Sequence, residues 1–286
     1  MHVSVLARES LEYLAIRPDG TYLDATAGLG GHTALIAQEL TTGIVIANDR
    51  DAKSLELARQ NTEPWAEHIL YRHASFSELA ETVMGAGRGK LDGLLADLGV
   101  SRYQLTSPER GFSIVADGPL DMRMDQSRGM TAADLVNHTA EKELADLIYQ
   151  MGEERRARKI ARALVRARPL RSTRHLADVV ERAVPRTGRL HPATRTFMAL
   201  RMAVNDEPGE LKRLLEGGPD LIQSRGRMVV ISFMSIDDRM VKQKFRELAG
   251  AGRARILTKH PIQPAEEEIA RNAASRSAKL RAIELE

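Results

Sequence analysis

The first hundred residues alternate between short apolar runs and amphipathic segments, and this alternation constrains the fold more than any other feature. The apolar runs are residues 21–26, 43–49, 68–74 and 91–100. Helical patterns lie between the first three runs, at residues 33–40 and 52–60. Strands that alternate with helices at this spacing form a parallel, doubly wound sheet. We therefore predict an α/β fold.

The alternation stops after the fourth run. From about Thr131 to Gly217 the patterns are helical only, with Thr131 and Thr139 as candidate helix caps. Strand patterns return at residues 227–233, 254–259 and 280–286. These patterns predict a sheet interrupted by an inserted all-helical lobe. The expected parts are residues 1–110 as the first part of the α/β core, 111–217 as a linker loop and the helical lobe, and 218–286 as the end of the core.

Composition excludes several classes of protein. The chain has 286 residues and no cysteine, so disulfides, thiolate catalysis and zinc–thiolate sites are excluded. It contains no apolar run of about 18 residues, and charged residues interrupt its first segment where a signal peptide needs an apolar run. No histidine pairs with a carboxylate at zinc-binding spacing. We therefore expect a cytoplasmic protein without a metal site or a membrane partner.

Charge is informative only where it is concentrated. The net charge is +3, from 42 basic and 39 acidic residues, which alone indicates no polyanionic partner. The segment Glu153–Arg174, however, holds nine Lys or Arg residues against two Glu. Such crowding is typical of a surface that binds phosphates. A solvated helix face has the same composition, so both interpretations stay open.

A glycine turn after the first strand is the main cofactor signal. Gly28, Gly30 and Gly31 lie between a strand and a helix, where backbone N–H groups can approach a ligand. Asp49 ends the second strand, where a carboxylate can accept hydrogen bonds from both ribose hydroxyls. NAD and S-adenosylmethionine both use this geometry. The absence of G-x-G-x-x-G spacing favours S-adenosylmethionine, and a purely structural turn remains the alternative.

Two further residues are candidates in the same region. Asp97 ends the fourth strand, at the edge where ligands bind in such sheets. It could instead cap a helix or form a loop salt bridge. His32 follows the glycines, where it would cap or line the glycine turn.

Several irregular motifs extend along almost the whole chain. They are HVSVL at residues 2–6, RPDGTYLDATAGLGGH at 17–32, DRD at 49–51, DLGVS at 97–101, ERGFSIVADGPLDMRMD at 109–125, GEER at 152–155, HPATRTF at 191–197 and EEEIARNAASRSAKLR at 266–281. In this order they closely resemble the bacterial RsmH/MraW family. Members of that family are S-adenosylmethionine-dependent methyltransferases that act on N4 of a cytidine in 16S ribosomal RNA.

The resemblance implies a fold, a cofactor and a partner. The fold is the Rossmann-like sheet of class I methyltransferases, the cofactor is S-adenosylmethionine, and the partner is 16S ribosomal RNA in the small ribosomal subunit. Asp49 is implied to hold the cofactor ribose, and Phe76 and Asp97 to contact its adenine end. The remaining implied cofactor contacts are Gly30, Gly31, His32 and Gln104. Phe76 and Gln104 come from the resemblance alone.

The substrate side is less determined. Asp97, Asp121 and Asp125 are the candidates to accept the proton released from N4, and the choice among them stays open. The arginines expected to contact RNA are Arg123, Arg162, Arg166 and Arg195. The loop Gly111–Asp125 would border the cleft beside the target base. Alternatively it is a packed linker with Leu120, Met122 and Met124 as core.

The chain departs from the family pattern at three places. The segment after FRELAGAGRARI, residues 245–256, is shorter than in many relatives, and the other two departures are substitutions. Arg102-Tyr103 stands where relatives usually have Ser-Pro, and Met234 stands where they usually have histidine. Tyr103 could stack on a base or pack on the lobe. The rival functions are methyl transfer to a free nucleotide or to DNA, and an RNA-binding assembly factor that only senses the cofactor. The oligomeric state is open, with a homodimer as one alternative.

Overall fold

The computed structural model describes residues 4–186, 188 and 190–286. His2 and Val3 of the HVSVL motif lie outside the described residues. Within these ranges no helix combines the length and the apolar character that a bilayer span requires. The chain divides into two compact units: an α/β unit, Met1–Gly99 with Pro208–Glu286, and a helical unit, Val100–Glu207.

The α/β unit is built on one seven-stranded sheet. The strands are β1 Thr21–Asp24, β2 Ile44–Asp49, β3 Ile69–His73, β4 Leu91–Asp97, β5 Ile222–Ser232, β6 Ala254–Ile256 and β7 Lys279–Leu285. Their order across the sheet is β3-β2-β1-β4-β5-β7-β6. The first five strands pair in parallel, and β7 pairs antiparallel with both β5 and β6. The expected Rossmann-like α/β class is confirmed.

Both faces of this sheet are covered by helices. The helices of the unit are α1 Ala7–Leu14, α2 Gly31–Gln38, α3 Ala52–Asn61, α4 Leu79–Met84, α11 Glu207–Gly217, α12 Ser235–Gly250 and α13 Glu266–Arg271. Alternate residues of each strand enter two separate apolar clusters: Leu94 joins one that includes α4, α11 and α12, and Leu95 joins the other with α1, α2 and α3. Burial on both faces explains why the strands are continuous apolar runs rather than alternating ones.

The helical unit has its own core. Its helices are α5 Arg102–Thr106, α6 Ala132–His138, α7 Glu141–Gly152, α8 Ala157–Arg166, α9 Thr173–Ala183 and α10 Thr194–Val204. Thr131 caps α6 in a capping box with Asp134, as predicted. The prediction for Thr139 is wrong: α7 has Ala140 at its N-cap, and Thr139 ends α6 instead.

The helical unit begins at Val100 and ends at Glu207, whereas the expected segment began at 111 and ended at 217. Both boundaries therefore lie about ten residues earlier than expected. Residues 100–110 belong to the helical unit because the Arg110 guanidinium donates to the carbonyls of Arg123 and Met124, at 3.0 and 2.9 Å. Residues 208–217 belong to the α/β unit because the leucines of α11 pack in a sheet cluster. Both boundaries depend on contacts that are distant in sequence.

Candidate functional site

Three carboxyl groups lie at one edge of the sheet. Asp24 ends β1, Asp49 ends β2 and Asp97 ends β4, and β1 lies between the other two strands. We call them the strand-end carboxyls. In open α/β sheets, ligands bind outside the carboxyl ends of the strands. We call this end of the sheet the strand edge.

Burial makes these carboxyls costly to ionise. The pKa of Asp24, Asp49 and Asp97 is raised to about 6 each, mainly by desolvation, and the charge of Asp24 is a smaller cause of the rise at Asp49 and Asp97. A ligand that brings hydrogen-bond donors or positive charge to this edge would stabilise the ionised forms. The edge is therefore suited to a cationic, donor-rich ligand.

The glycine turn connects β1 to α2. Gly28 and Gly30 have left-handed backbones, with φ of 53° and 87°. A Cβ at Gly30 would lie 2.7 Å from Thr62 Cγ2, and one at Gly31 would lie 2.3 Å from Ser4 Oγ. Gly30 is thus required by its backbone and its packing independently of any ligand, whereas a side chain at Gly31 would only displace the Ser4 hydroxyl. The structural interpretation of the turn and the cofactor interpretation are compatible.

Asp49 is held by the backbone around it. Its Oδ2 accepts the N–H of Gly28 at 2.7 Å, and its Oδ1 accepts the N–H of Asp51 at 2.8 Å. Each carboxylate oxygen has a second lone pair. The group is fixed in place and can still accept two hydroxyl groups, as a ribose would present.

His32 and Asp97 form a second feature of the edge. His32 is 6% exposed, and its Nε2 lies 3.0 Å from the carbonyl oxygen of Val5, so Nε2 carries the hydrogen. Its Nδ1 then faces Asp97 Oδ2 at 3.7 Å. Asp97 Oδ1 is buried and finds no hydrogen-bond partner among the described residues. A buried acceptor without a donor is unfavourable, so Oδ1 is a place where a ligand donor would bind.

In the helical unit, the loop Gly111–Asp125 is packed. Leu120, Met122 and Met124 are 2%, 0% and 7% exposed and belong to the core of the unit. The amide of Asn205 clamps the loop: its Oδ1 accepts the N–H of Met124 at 2.7 Å, and its Nδ2 donates to the carbonyl of Met122 at 2.8 Å. These contacts agree with the interpretation of the loop as a packed linker.

Arg123 makes the fork of hydrogen bonds that a guanidinium can form with a carboxylate. Its Nε and Nη2 donate to Oδ1 and Oδ2 of Asp121, each at 2.9 Å. Asp125 accepts from Ser127 through Oδ1 and from Arg128 Nε through Oδ2, at 2.7 Å for the latter. Both oxygens of Asp121 and of Asp125 are thus engaged by residues in or directly after the loop, in contrast to Asp97 Oδ1.

The basic segment forms α8, which is amphipathic. Its buried side includes Ile160 and Leu164, both 0% exposed, and its exposed side carries Arg158, Lys159, Arg162 and Arg166. We call these four residues the α8 basic face. Arg162 lies 3.4 Å from Glu141, and Arg166 makes no ion pair with any described residue. The remaining basic residues include structural ones, since Arg168 donates to the carbonyls of Val136 and Thr139.

The comparisons with known proteins agree along the whole chain. A family model described as the MraW methylase family matches residues 1–286. This chain belongs to the MraW methylase family. A protein named Ribosomal RNA small subunit methyltransferase H from Solibacter usitatus is 73% identical over 285 residues, which is 100% of both chains. A protein of the same name from Koribacter versatilis is 52% identical and covers 98% of this chain and 93% of its own. A solved putative rRNA methylase from Clostridium thermocellum aligns over both whole chains with a TM-score of 0.49 and 11% identity, too low to transfer the role of any residue.

Like the MraW methylase family as a whole, the chain uses S-adenosylmethionine as its cofactor. The strand edge fits that molecule. Asp49 can accept from both ribose hydroxyls, and the strand-end carboxyls suit its positive charge. That Gly30, Gly31, His32, Asp49, Phe76, Asp97 and Gln104 contact the cofactor remains a prediction.

The two cofactor residues that only the MraW resemblance implied have clear local roles. Phe76 opens a 3₁₀ turn after β3, Phe76–Glu78, and packs partly buried against the sheet cluster. Gln104 is 4% exposed, and its Oε1 accepts the N–H of Ser101 at 2.9 Å, which closes a capping box on α5. Neither role is visible in apolar periodicity, which explains why the pattern of residues did not indicate them.

The other predicted positions also have defined surroundings. Arg195 is exposed on α10, and its Nη1 donates to the carbonyl of Glu153 at 3.0 Å. The ring centroid of Tyr103 lies 5.9 Å from the guanidinium of Arg110, within the helical unit. Met234 is at the N-cap of α12 and its side chain makes no capping hydrogen bond. In the described part of the chain, no group of three or more His, Asp and Glu residues could hold a metal ion.

Sequence reasoning missed two polar residues that shape the edge. The hydroxyl of Thr26 accepts the N–H of Asp97 at 2.6 Å. Asn48 is 0% exposed, and its Nδ2 donates to the carbonyls of Ala25 and Ala74, which ties the ends of neighbouring segments together. A polar residue inside the apolar run GIVIAND was the available signal for Asn48, because buried polar groups need partners.

Proposed function

We propose that the chain transfers a methyl group from S-adenosylmethionine to N4 of a cytidine in 16S ribosomal RNA of the small ribosomal subunit. One observation carries this proposal: relatives that share 73% and 52% of their residues over the full length are named small-subunit ribosomal RNA methyltransferases. We place the reaction in the cytoplasm, because bacterial ribosomes are assembled in the cytoplasm.

The α8 basic face supports a polyanionic substrate rather than a free nucleotide. Four cationic side chains on one side of a helix, with one weak ion pair among them, match a phosphate backbone. A small free substrate would need no such extended surface. DNA would also suit it, so the substrate must be tested directly.

The strand order supports one orientation of the cofactor along the strand edge. Phe76 follows β3, on one side of Asp49, whereas Asp97 ends β4, on the other side of Asp49. A molecule whose ribose is held at Asp49 can place its base toward Phe76 and its sulfonium toward Asp97. We therefore assign Asp97 to the methyl end, rather than to the adenine end that the resemblance implies.

The chemistry follows from what the chain can supply. S-adenosylmethionine supplies a methyl group that its sulfonium has already activated. The N4 nitrogen of cytosine is a weak nucleophile because its lone pair is delocalised into the ring, so the protein must orient it in line with the methyl carbon. The unpaired Oδ1 of Asp97 can accept an N4 hydrogen and aim the nitrogen. As the N–C bond forms, the carbon–sulfur bond breaks and N4 loses one proton.

Asp97 is also able to take that proton. Its pKa of about 6 makes it a better base than an ordinary carboxylate, while it remains largely ionised at pH 7 to 8. His32 Nδ1, facing the other oxygen at 3.7 Å, is the next acceptor toward which the proton can move. Asp121 and Asp125 are the weaker candidates because their oxygens are already hydrogen-bonded.

The test is transfer of tritium from labelled cofactor to small subunits that lack the modification. Matched reactions contain free 16S ribosomal RNA, single-stranded DNA or cytidine monophosphate. We expect label in the small subunits, and nuclease digestion followed by chromatography should place it on N4 of one cytidine. Label on DNA or on the free nucleotide alone would establish a rival substrate. Cofactor binding without transfer to any of them would support the assembly-factor function instead.

A further inference from the structure

A second group of basic side chains lies in the α/β unit, beside β7 and β6, the last two strands in the order across the sheet. A cavity of about 310 Å³ lies beside α12 there. Lys242 and Arg246 line it from α12, Lys259 from the segment after β6, and Arg281 from β7. We call these four residues the α12 cation pocket. None of them belongs to the strand edge at Asp24, Asp49 and Asp97.

The charges of this pocket are largely uncompensated. Lys242, Arg246 and Lys259 are exposed, and none forms an ion pair with a residue that the structure describes. Asp238 is the acid in contact with the group: it accepts from Arg281 Nε at 2.7 Å and from Nη2 at 3.3 Å. Like charges that converge on one cavity repel each other, so a bound anion would stabilise this arrangement.

The pocket also has buried donors in fixed positions. Arg281 is 7% exposed, and Asp238 orients its guanidinium while Nη1 has no hydrogen bond within the described chain. Thr258, 4% exposed, also lines the cavity, and its hydroxyl oxygen accepts the N–H of Ala282 at 3.0 Å. Its hydroxyl hydrogen therefore remains free to donate. The polar side chains of the lining offer donors toward the cavity, which is the chemistry of an anion site.

We propose that the α12 cation pocket binds a backbone phosphate of the RNA substrate. Besides the cations, Phe245 and the partly exposed Ile256 contribute apolar surface against which a ribose can pack. Arginine held by a carboxylate is pre-oriented for two phosphate oxygens, and lysines add point charge. This inference rests on the proposed function, because it is the RNA substrate that brings the phosphate.

The experiment compares two double variants of the full-length protein. Lys242→Ala with Arg246→Ala removes two cations of the pocket. Lys212→Ala with Arg253→Ala removes two exposed cations elsewhere on the same unit, which pair with Glu216 and Asp220. Both variants change the net charge equally. Binding of a 16S ribosomal RNA transcript is titrated at several salt concentrations, with cofactor affinity and thermal melting as controls for folding.

We expect the pocket variant to lower the slope of log affinity against log salt by about 0.7 to 0.9, the value for one lost phosphate contact. The control variant should keep the wild-type slope. Equal slopes for the two variants would overturn the proposal. A separate titration with inorganic phosphate identifies the source of the anion: if the pocket variant loses phosphate binding but keeps the RNA slope, the pocket takes a free anion and the RNA proposal is wrong. Failure of wild-type methyl transfer would contradict the proposed function, whereas normal transfer with equal slopes would contradict the pocket alone.

Discussion

Replacing Asp49 with alanine tests the strand edge most sharply. The structure leaves two lone pairs of this carboxylate for the ribose hydroxyls, because Gly28 and Asp51 occupy the other two. A hydrogen bond to a charged group contributes roughly 1.5–3 kcal/mol. Since about 1.4 kcal/mol corresponds to a factor of ten, loss of one bond weakens cofactor binding at least about tenfold, and loss of both about a hundredfold or more.

The same substitution should leave the fold intact. Two backbone N–H groups lose their acceptor, which destabilises the turn. However, burial raises the pKa of Asp49 from 3.8 to about 6, so at pH 8 the ionised carboxylate costs the free protein on the order of 3 kcal/mol that alanine does not. Because these effects oppose each other, we expect a melting temperature close to that of the wild type.

Calorimetric titration of S-adenosylmethionine at pH 8 measures the effect, with thermal melting of each protein alongside. Asp19→Ala is the matched control, since its carboxylate is 76% exposed on the same unit and lies away from the strand edge. We expect the control to bind like the wild type. If the folded Asp49→Ala protein also binds like the wild type, Asp49 does not hold the ribose.

Four further outcomes are expected. Asp97→Asn should keep cofactor affinity within a few-fold and lower kcat about tenfold or more, the effect of one lost charged hydrogen bond. A lower cofactor affinity with an unchanged kcat would instead support a contact of Asp97 with the adenine. Because burial raises the pKa of the strand-end carboxyls to about 6, they stabilise the free protein fully below about pH 4 and lose that contribution as the pH rises through 6. Because the ribose hydroxyls bind the ionised form of Asp49, cofactor affinity should fall as the pH drops from 7 to 5, with proton release on binding near pH 6, which calorimetry in two buffers of different ionisation enthalpy detects; a flat profile contradicts this role of Asp49. Arg162→Glu with Arg166→Glu should flatten the salt dependence of RNA binding and spare cofactor binding, and an unchanged slope would leave α8 a solvated face. Arg123→Lys should keep the fold but lose the paired hydrogen bonds to Asp121, and its methyl-transfer rate should be about tenfold lower. Full activity would show that these hydrogen bonds do not serve the reaction.

Apolar runs predicted the sheet well because each strand is buried on both faces. The expected strands at 43–49 and 68–74 differ by one residue at their ends from β2 and β3. β5 was predicted from residue 227 but begins at Ile222, where the pairing with β4 shifts register between Leu91 and Gly93. That extra length depends on a neighbouring strand, and the polar residues 223–225 gave no local sign of it.

The polar parts of the site were harder to predict because they depend on contacts between distant residues. The glycine turn, Asp49 and Asp97 followed from strand ends, which local patterns reveal. The partner of Asp49 at Gly28 and the unpaired Oδ1 of Asp97 depend on how separate strands align. Similarly, the sequence led us to expect an RNA contact for Arg123, whereas its fork of hydrogen bonds to Asp121 is visible only in the fold.

Mass spectrometry of 16S ribosomal RNA nucleosides tests the central claim most directly. The measurement compares a strain that lacks the gene, the same strain carrying the wild-type gene, and one carrying the Asp97→Asn gene. We expect N4-methylated cytidine to disappear on deletion, to return fully with the wild type and to stay strongly reduced with the variant. An undiminished level of N4-methylated cytidine in the deletion strain would contradict the proposed function.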